Sequence, residues 1–391
     1  MKTRVGTFLL ALMVLSLTAR ICFGISPHEY YKSGNIYYKK GQYDRAIADF
    51  TKAINLNPEF YHVYDSRGLA HYEKGQYDRA IADFTRTIKI NPKYDRAYIN
   101  RGNIYHIKGR YDQAIGDFTK TIELKQNLYK AYNNRGYSYN AKGQYDLAIA
   151  DFTEVIKLKP DIYKTYINRG YAHYRNGQHD QAIADYTRAV EINPEAGESY
   201  MNRGYLYFLK GQYEPAVADF TRVIEINPKD FQAYINRGNA YYDQGYFKKA
   251  AGDYQKAIEI NAEDEYARIW LLLALRKVSK DDYYVYLEEF ENYVKSSRSE
   301  KWVRTISRYY QWMYGLTESD VLSAAQAGRD KKEVRQRLCE AYYYIGEEML
   351  WKGDRKAAEE FFNKSLETRA YDFREYGSSK AMLRLMKQGK L

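Results

Sequence analysis

Very little in this 391-residue chain is equipped for covalent chemistry. Two cysteines, Cys22 and Cys339, are too few for a disulfide framework or a cysteine zinc site. The six histidines are scattered without metal-ligand spacing. No nucleophile elbow, phosphate loop, dinucleotide fingerprint or His-Glu zinc helix occurs. The carboxylate pairs Glu288-Glu289 and Glu347-Glu348 are adjacent, so on a helix they point about 100° apart and read as solvated faces. Cys339 has no neighbouring His and reads as a buried structural thiol. The expectation is a protein without catalytic residues, metal or cofactor.

The polar residues that do recur are suited to binding and pairing. Asn100, Asn134, Asn168, Asn202 and Asn236 are each followed by an arginine. An asparagine both donates and accepts, which suits the N–H and C=O of an extended peptide. Tyr137, Tyr171 and Tyr205 lie one helical turn further on, apolar bodies with polar tips. The plainer alternative is that these asparagines satisfy neighbouring helix ends, and most tyrosines, Tyr98, Tyr132 and Tyr234 among them, fill core positions. The arginines Arg67, Arg101, Arg135, Arg169, Arg203 and Arg237 each precede an aspartate by sixteen residues: Asp83, Asp117, Asp151, Asp185, Asp219 and Asp253. A half-buried cation needs a partner, so these read as ion pairs between successive helices. The alternative is a column of arginines for anions. The first period has Ser33 and Asp49 instead.

A fixed period positions all of these residues. Gly recurs at 34, 68, 102, 136, 170, 204 and 238, and again at 41, 75, 109, 143, 177, 211 and 245. Ala follows at 46, 80, 114, 148, 182, 216 and 250, with Phe or Tyr four residues after each. Pro closes most periods, at 58, 92, 160, 194 and 228. The second glycine suits a left-handed helix cap, and the Ala and ring four apart share one face of the following helix. From about Pro27 to Ala262 the chain resembles the tetratricopeptide repeat (TPR) family, seven units in succession. The resemblance implies an all-α right-handed superhelix, an α-solenoid, with a concave surface lined by the first (A) helix of each unit. Asparagine ladders at this position occur in family members that hold extended peptides. The arginine departs from the family's usual leucine.

After Ala262 the repeat decays. Residues 263–391 read as degenerate helices, among them Glu265–Lys277, Asp281–Lys295, Trp302–Tyr314 and Glu318–Ala327. One further TPR-like unit follows at 339–372, with Gly346, Gly353, Ala358 and Phe362 in register, and then a capping helix at Phe373–Met386. The stretches RIWLLLALRKVSKDD, WVRTISRYYQWMYGLTESDV and EAYYYIGEEMLWKGDRKAAEEFFNKSLETRAYDF resemble the NlpI family of bacterial envelope lipoproteins. That resemblance implies a dimeric adaptor that brings an envelope processing protease and cell-wall hydrolases to their targets.

Residues 1–24 read as a secretory signal peptide: Lys2 and Arg4, an apolar stretch from Phe8 to Leu17, and Cys22-Phe23-Gly24 as the cleavage site. An uncleaved anchor is the alternative. Arg20 and Ile21 before Cys22 are poor context for lipidation, so membrane tethering stays open. Loss of Lys2, Arg4 and Arg20 would lower the formal charge from +11 to +8. The basic residues are spread over every repeat, and exported protein does not meet nucleic acid, so nucleic acid is not expected as a partner. The sequence therefore points to an exported periplasmic or envelope scaffold for proteins or peptides. A factor binding or assembling cell-wall polysaccharide is the alternative. N-terminal sequencing of the mature protein should begin at Ile25; intact Met1 in a soluble cytoplasmic fraction would contradict export.

Overall fold

The computed structural model describes residues 25–125, 128–296, 317–370 and 373–391. The proposed leader and the expected helix at 302–314 lie outside these residues. Every regular element described is an α-helix. Seven A/B hairpins come first: α1 Pro27–Lys39 with α2 Tyr43–Leu56, α3 Tyr61–Glu73 with α4 Tyr77–Ile90, and α5 Asp95–Ile107 with α6 Tyr111–Leu124. Then follow α7 Tyr129–Ala141 with α8 Tyr145–Leu158, α9 Tyr163–Arg175 with α10 His179–Ile192, α11 Gly197–Leu209 with α12 Tyr213–Ile226, and α13 Phe231–Asp243 with α14 Phe247–Ile260. The remainder is α15 Glu265–Val278, α16 Lys280–Ser296, α17 Glu318–Gln326, α18 Lys331–Trp351, α19 Arg355–Glu367 and α20 Arg374–Lys387. The chain forms two compact units that divide after Asp185.

The third hairpin shows why the period makes a hairpin. At Gly102 in α5 the ring of Phe118 comes so close that an added Cβ would stand 2.8 Å from it. Gly109 ends α5 at φ +71°, a left-handed conformation that a side chain would strain. The Arg110 amide then reaches back to the Tyr105 carbonyl at 2.8 Å, closing the turn. Ala114 and Phe118, four apart, are fully buried against α5. In the second hairpin the B helix α4 ends at an asparagine whose side chain accepts the amide two residues on, Lys93 to Asn91 Oδ1 at 3.1 Å. Glu59, Glu195, Lys229 and Glu263 repeat this bond at their own turns. At these five turns the stop is made by Asn as much as by the Pro that often follows it, whereas α6 and α8 end at Lys125 and Lys159.

In the second unit α18 and α19 reproduce this geometry, with Gly346 against Phe362 and Gly353 at φ +85°. Its core gathers Trp270, Tyr242, Tyr254, Tyr343 and Tyr344 around the apolar α15.

Two glycine replacements in one hairpin separate close packing from helix propensity. Gly116→Ala adds a methyl where nothing lies within 4 Å, and should stabilise by about 0.5–1 kcal/mol. Gly102→Ala forces the Phe118 ring aside, and should destabilise by about 1 kcal/mol or more despite the same propensity gain. Thermal melts of the two variants check the opposite signs.

Candidate functional site

The A helices place two consecutive residues in different surroundings. In α7 these are Asn134 and Arg135. Arg135 turns inward between the helices of its hairpin, where its Nε and Nη2 donate to Asp151 at 2.8 and 2.7 Å. Its remaining arm, Nη1, donates to the hydroxyl of Thr119 on the B helix of the preceding repeat, at 3.0 Å. The guanidinium also lies 5.6 Å from the Tyr132 ring and 5.9 Å from that of Tyr139, one turn either side. One side chain thus joins A helix to B helix and repeat to repeat.

The same clasp occurs in six repeats. Arg67, Arg101, Arg169, Arg203 and Arg237 meet Asp83, Asp117, Asp185, Asp219 and Asp253 at 2.6–2.7 Å. Their third arms reach Thr51, Thr85, Thr153, Thr187 and Thr221. With the arginine side chains 15–20% exposed, this is no open column for anions. Burial pushes the carboxyls of Asp117, Asp151, Asp219 and Asp253 above their ordinary range, and the arginine draws each only part of the way back. The aspartate bond outweighs burial at Arg135, Arg203 and Arg237 and holds them more firmly protonated. Ser33, in the first repeat, donates to Asp49 at 2.6 Å. No described repeat precedes it, so an arginine there would lack a threonine for its third arm.

Asn134 faces away from the clasp and donates to Asn103 on the preceding A helix at 2.8 Å. Asn168 donates to the Tyr137 hydroxyl at 2.7 Å. Asn100 reaches Asp65, a buried carboxylate that Tyr94 also bonds, at 3.4 Å. In the second unit Asn236 approaches the Met201 sulfur at 3.3 Å, and Asn202 is half-buried beside Met201. Asn100, Asn134, Asn168 and Asn236 therefore bond side chains of neighbouring A helices, not helix ends. They remain half-buried with amide capacity to spare: Asn168 keeps one N–H and its carbonyl oxygen. Tyr137 and Tyr171 are 38% and 39% exposed, and the Tyr171 hydroxyl accepts from Arg175 at 2.6 Å. Tyr205 is half-buried.

Two sequence expectations need correction. Glu347 and Glu348 are not a solvated face. Both are buried, Glu348 paired with Arg276 and Glu347 with Lys277, each at 2.8 Å. Their neighbours on α15 carry the opposite charge into the core, which adjacency in sequence could not show. Tyr98 is buried as expected, but Tyr132 and Tyr234 are half-buried under their arginines. The threonine arm was missed altogether, although it recurs every 34 residues directly after the core ring. Cys339 is buried against Ser365, and burial pushes its thiol up to about 11. Among the described residues no cluster of three or more His, Cys, Asp or Glu could hold a metal, and no helix is long and apolar enough to cross a membrane.

Family models agree with this architecture. A TPR repeat model matches residues 34–75, 68–106 and 204–245, and tetratricopeptide repeat models match 95–128, 129–162, 163–195 and 231–264. Together these spans exceed half of the chain, which belongs to the tetratricopeptide repeat proteins. The C-terminal part of a TPR repeat-containing protein from Cytophaga hutchinsonii shares the fold, with TM-score 0.56 and 20% identity over 62% of this chain and 99% of that one. A tetratricopeptide repeat protein from Parabacteroides merdae is similar at TM-score 0.48 and 21% identity, covering 64% of this chain and 100% of its own. YrrB, described as a TPR protein with an unusual peptide-binding site, gives TM-score 0.42 and 26% identity over 47% of this chain and 95% of its own. No curated protein matches the chain.

Arg135→Met leaves Asp151 buried without its cation and should cost roughly 3 kcal/mol of stability. Adding Asp151→Leu should recover most of that loss, because the pair, not either charge, is what the site tolerates. Urea unfolding of the two variants distinguishes this from a surface pair, whose loss would scarcely register.

Proposed function

We propose that the chain is a non-catalytic scaffold of the cell envelope, holding extended segments of other proteins against the A-helix face of its first unit. The observation that carries this reading is the amide band formed by Asn100, Asn134 and Asn168. Their side chains couple neighbouring A helices and keep backbone-like donors and acceptors on the same face. Tyr137 and Tyr171 flank the band with part-exposed rings, a combination that recognition surfaces favour. Export rests on the leader at 1–24. The adaptor role, delivering a processing protease or cell-wall hydrolases as a dimer, rests on the resemblance of residues 263–386 to the NlpI family. Light scattering of the mature chain at micromolar concentration reads the dimer, and a monomer would remove that part of the proposal.

The exposed tyrosine rings support a second reading, stacking on cell-wall sugars. A pull-down from envelope extract separates the two, since recovered glycan without peptide would favour the polysaccharide factor.

Each asparagine offers about 0.5–1.5 kcal/mol net per hydrogen bond, and ordering a flexible segment consumes much of it. Capture of a labelled, unstructured peptide pool should therefore be of micromolar order and tolerant of sequence. Asn134→Ala with Asn168→Ala should weaken it about tenfold or more in fluorescence anisotropy, with helicity unchanged. Undiminished capture would mean that the amides serve only the A helices.

A further inference from the structure

Helix α20 packs on α18 and α19 as a following A helix would, and adds a long-range contact of its own. A repeat's B helix meets its own A helix through an alanine and a ring, but α20 reaches back 131–141 residues to a single aspartate at the end of α13. Arg374 Nη1 stands 3.0 Å from one Asp243 carboxylate oxygen and 3.1 Å from the other. Ser378 donates to the same carboxylate at 3.2 Å, and Arg384 donates to the Asp243 main-chain carbonyl at 2.7 Å. The Arg374 guanidinium lies 4.2 Å from the Trp270 ring and 5.3 Å from Phe208, and Arg384 lies 5.1 Å from Tyr213. Beside the arginines an apolar edge of Ala381, Met382, Leu385 and Met386 is buried in the core of the second unit.

The receiving surface combines the Asp243 end of α13 with α18 and α19, where Tyr344 donates to Glu375 at 3.1 Å and Arg355 donates to the Met386 carbonyl at 3.0 Å. Asp243 follows Asn236 by seven residues, two helical turns along the same stripe. Nothing in the repeat asks for an acid there. The equivalent residues are Lys39, Glu73, Ile107, Ala141, Arg175 and Leu209. Asp243 is fully buried, and its bonds to α20 supply the cation that such a carboxylate requires. Yet the fit is incomplete: Arg374 Nε and Nη2, Arg384 Nε, Ser379 Oγ and Tyr242 Oη are buried without a partner. A contact that leaves buried polar groups unmet is weaker than its area implies, whereas tethering keeps even a weak occupant in place.

We propose that the groove between the Asp243 end of α13 and the helices α18 and α19 is a receptor for an arginine-bearing amphipathic helix, and that α20 is its built-in occupant. While α20 is seated, the groove is closed to outside helices of the same chemistry. The binding mode is helix-in-groove, with Arg374 and Arg384 as anchors beside the apolar edge. It does not draw on the extended-chain binding proposed for the first unit.

The test uses the full chain with a protease site introduced within residues 368–373, folded and then cut. A fluorescent synthetic peptide copying residues 373–391 is the probe. The cut protein should keep its helical signal and take up the probe by exchange, with a dissociation constant on the order of micromolar. The uncut protein should take up none. A probe carrying Arg374→Ala should bind at least tenfold more weakly. Uptake that is equal for the two probes, no exchange into cut protein, or collapse of its helical signal on cutting would each overturn the proposal, the last showing α20 to be core.

Discussion

A guanidinium placed between two packed helices must be matched on every side, and the arginine before six of the seven helix-A glycines meets that demand three ways. Two arms grip the aspartate of its own B helix, the third takes a threonine hydroxyl one repeat back, and tyrosine rings cover its face, as at Arg135. The aspartate fixes the hairpin and the threonine fixes the stacking of one hairpin on the next. Because the arms of a guanidinium form a rigid planar fork, a lysine could not hold all three positions. Stacking of repeats is what buries a solenoid's core, so much of the array's geometry passes through this one residue type.

The clasp also decides what the neighbouring position can do. Adjacent helical residues diverge by about 100°, so when Arg135 turns into the hairpin, Asn134 emerges on the A-helix face. Architecture and recognition are thereby assigned to successive residues. The two compact units use that face differently. In the first it carries the amide band with part-exposed tyrosines. In the second its far end is occupied by the chain's own last helix, through Asp243.

Much of this was legible in the sequence because the period repeats each physical requirement seven times. Gly102 and Phe118 announce a close helix approach, Gly109 a left-handed stop, and the sixteen-residue interval from Arg101 to Asp117 a pairing across the hairpin. The threonine arm was less visible, since a polar residue beside a core ring reads as surface until its partner from the next repeat is seen. Asn134 and Asn168 were legible as a ladder, but not their bonds to Asn103 and Tyr137, which depend on how neighbouring A helices stand. Beyond Ala262 no period remained to average over. The burial of Glu347 and Glu348 follows from α15 crossing them with Arg276 and Lys277, a long-range contact that local pattern does not encode. Likewise α20 was legible as a helix that closes the chain, while its reach back to Asp243 was not.

The division of labour between Asn134 and Arg135 is the claim on which the functional account rests, and side-chain NMR reads the two directly. With the protein labelled on nitrogen, an extended peptide is titrated in while the Asn134 and Asn168 side-chain amide signals and the Arg135 Nε–H signal are followed. The account predicts saturable shifts at both asparagines with the arginine signal unmoved, because its bonds to Asp151 and Thr119 persist. Shifts confined to the arginines, or to B-helix residues with the asparagine amides unchanged, would contradict it.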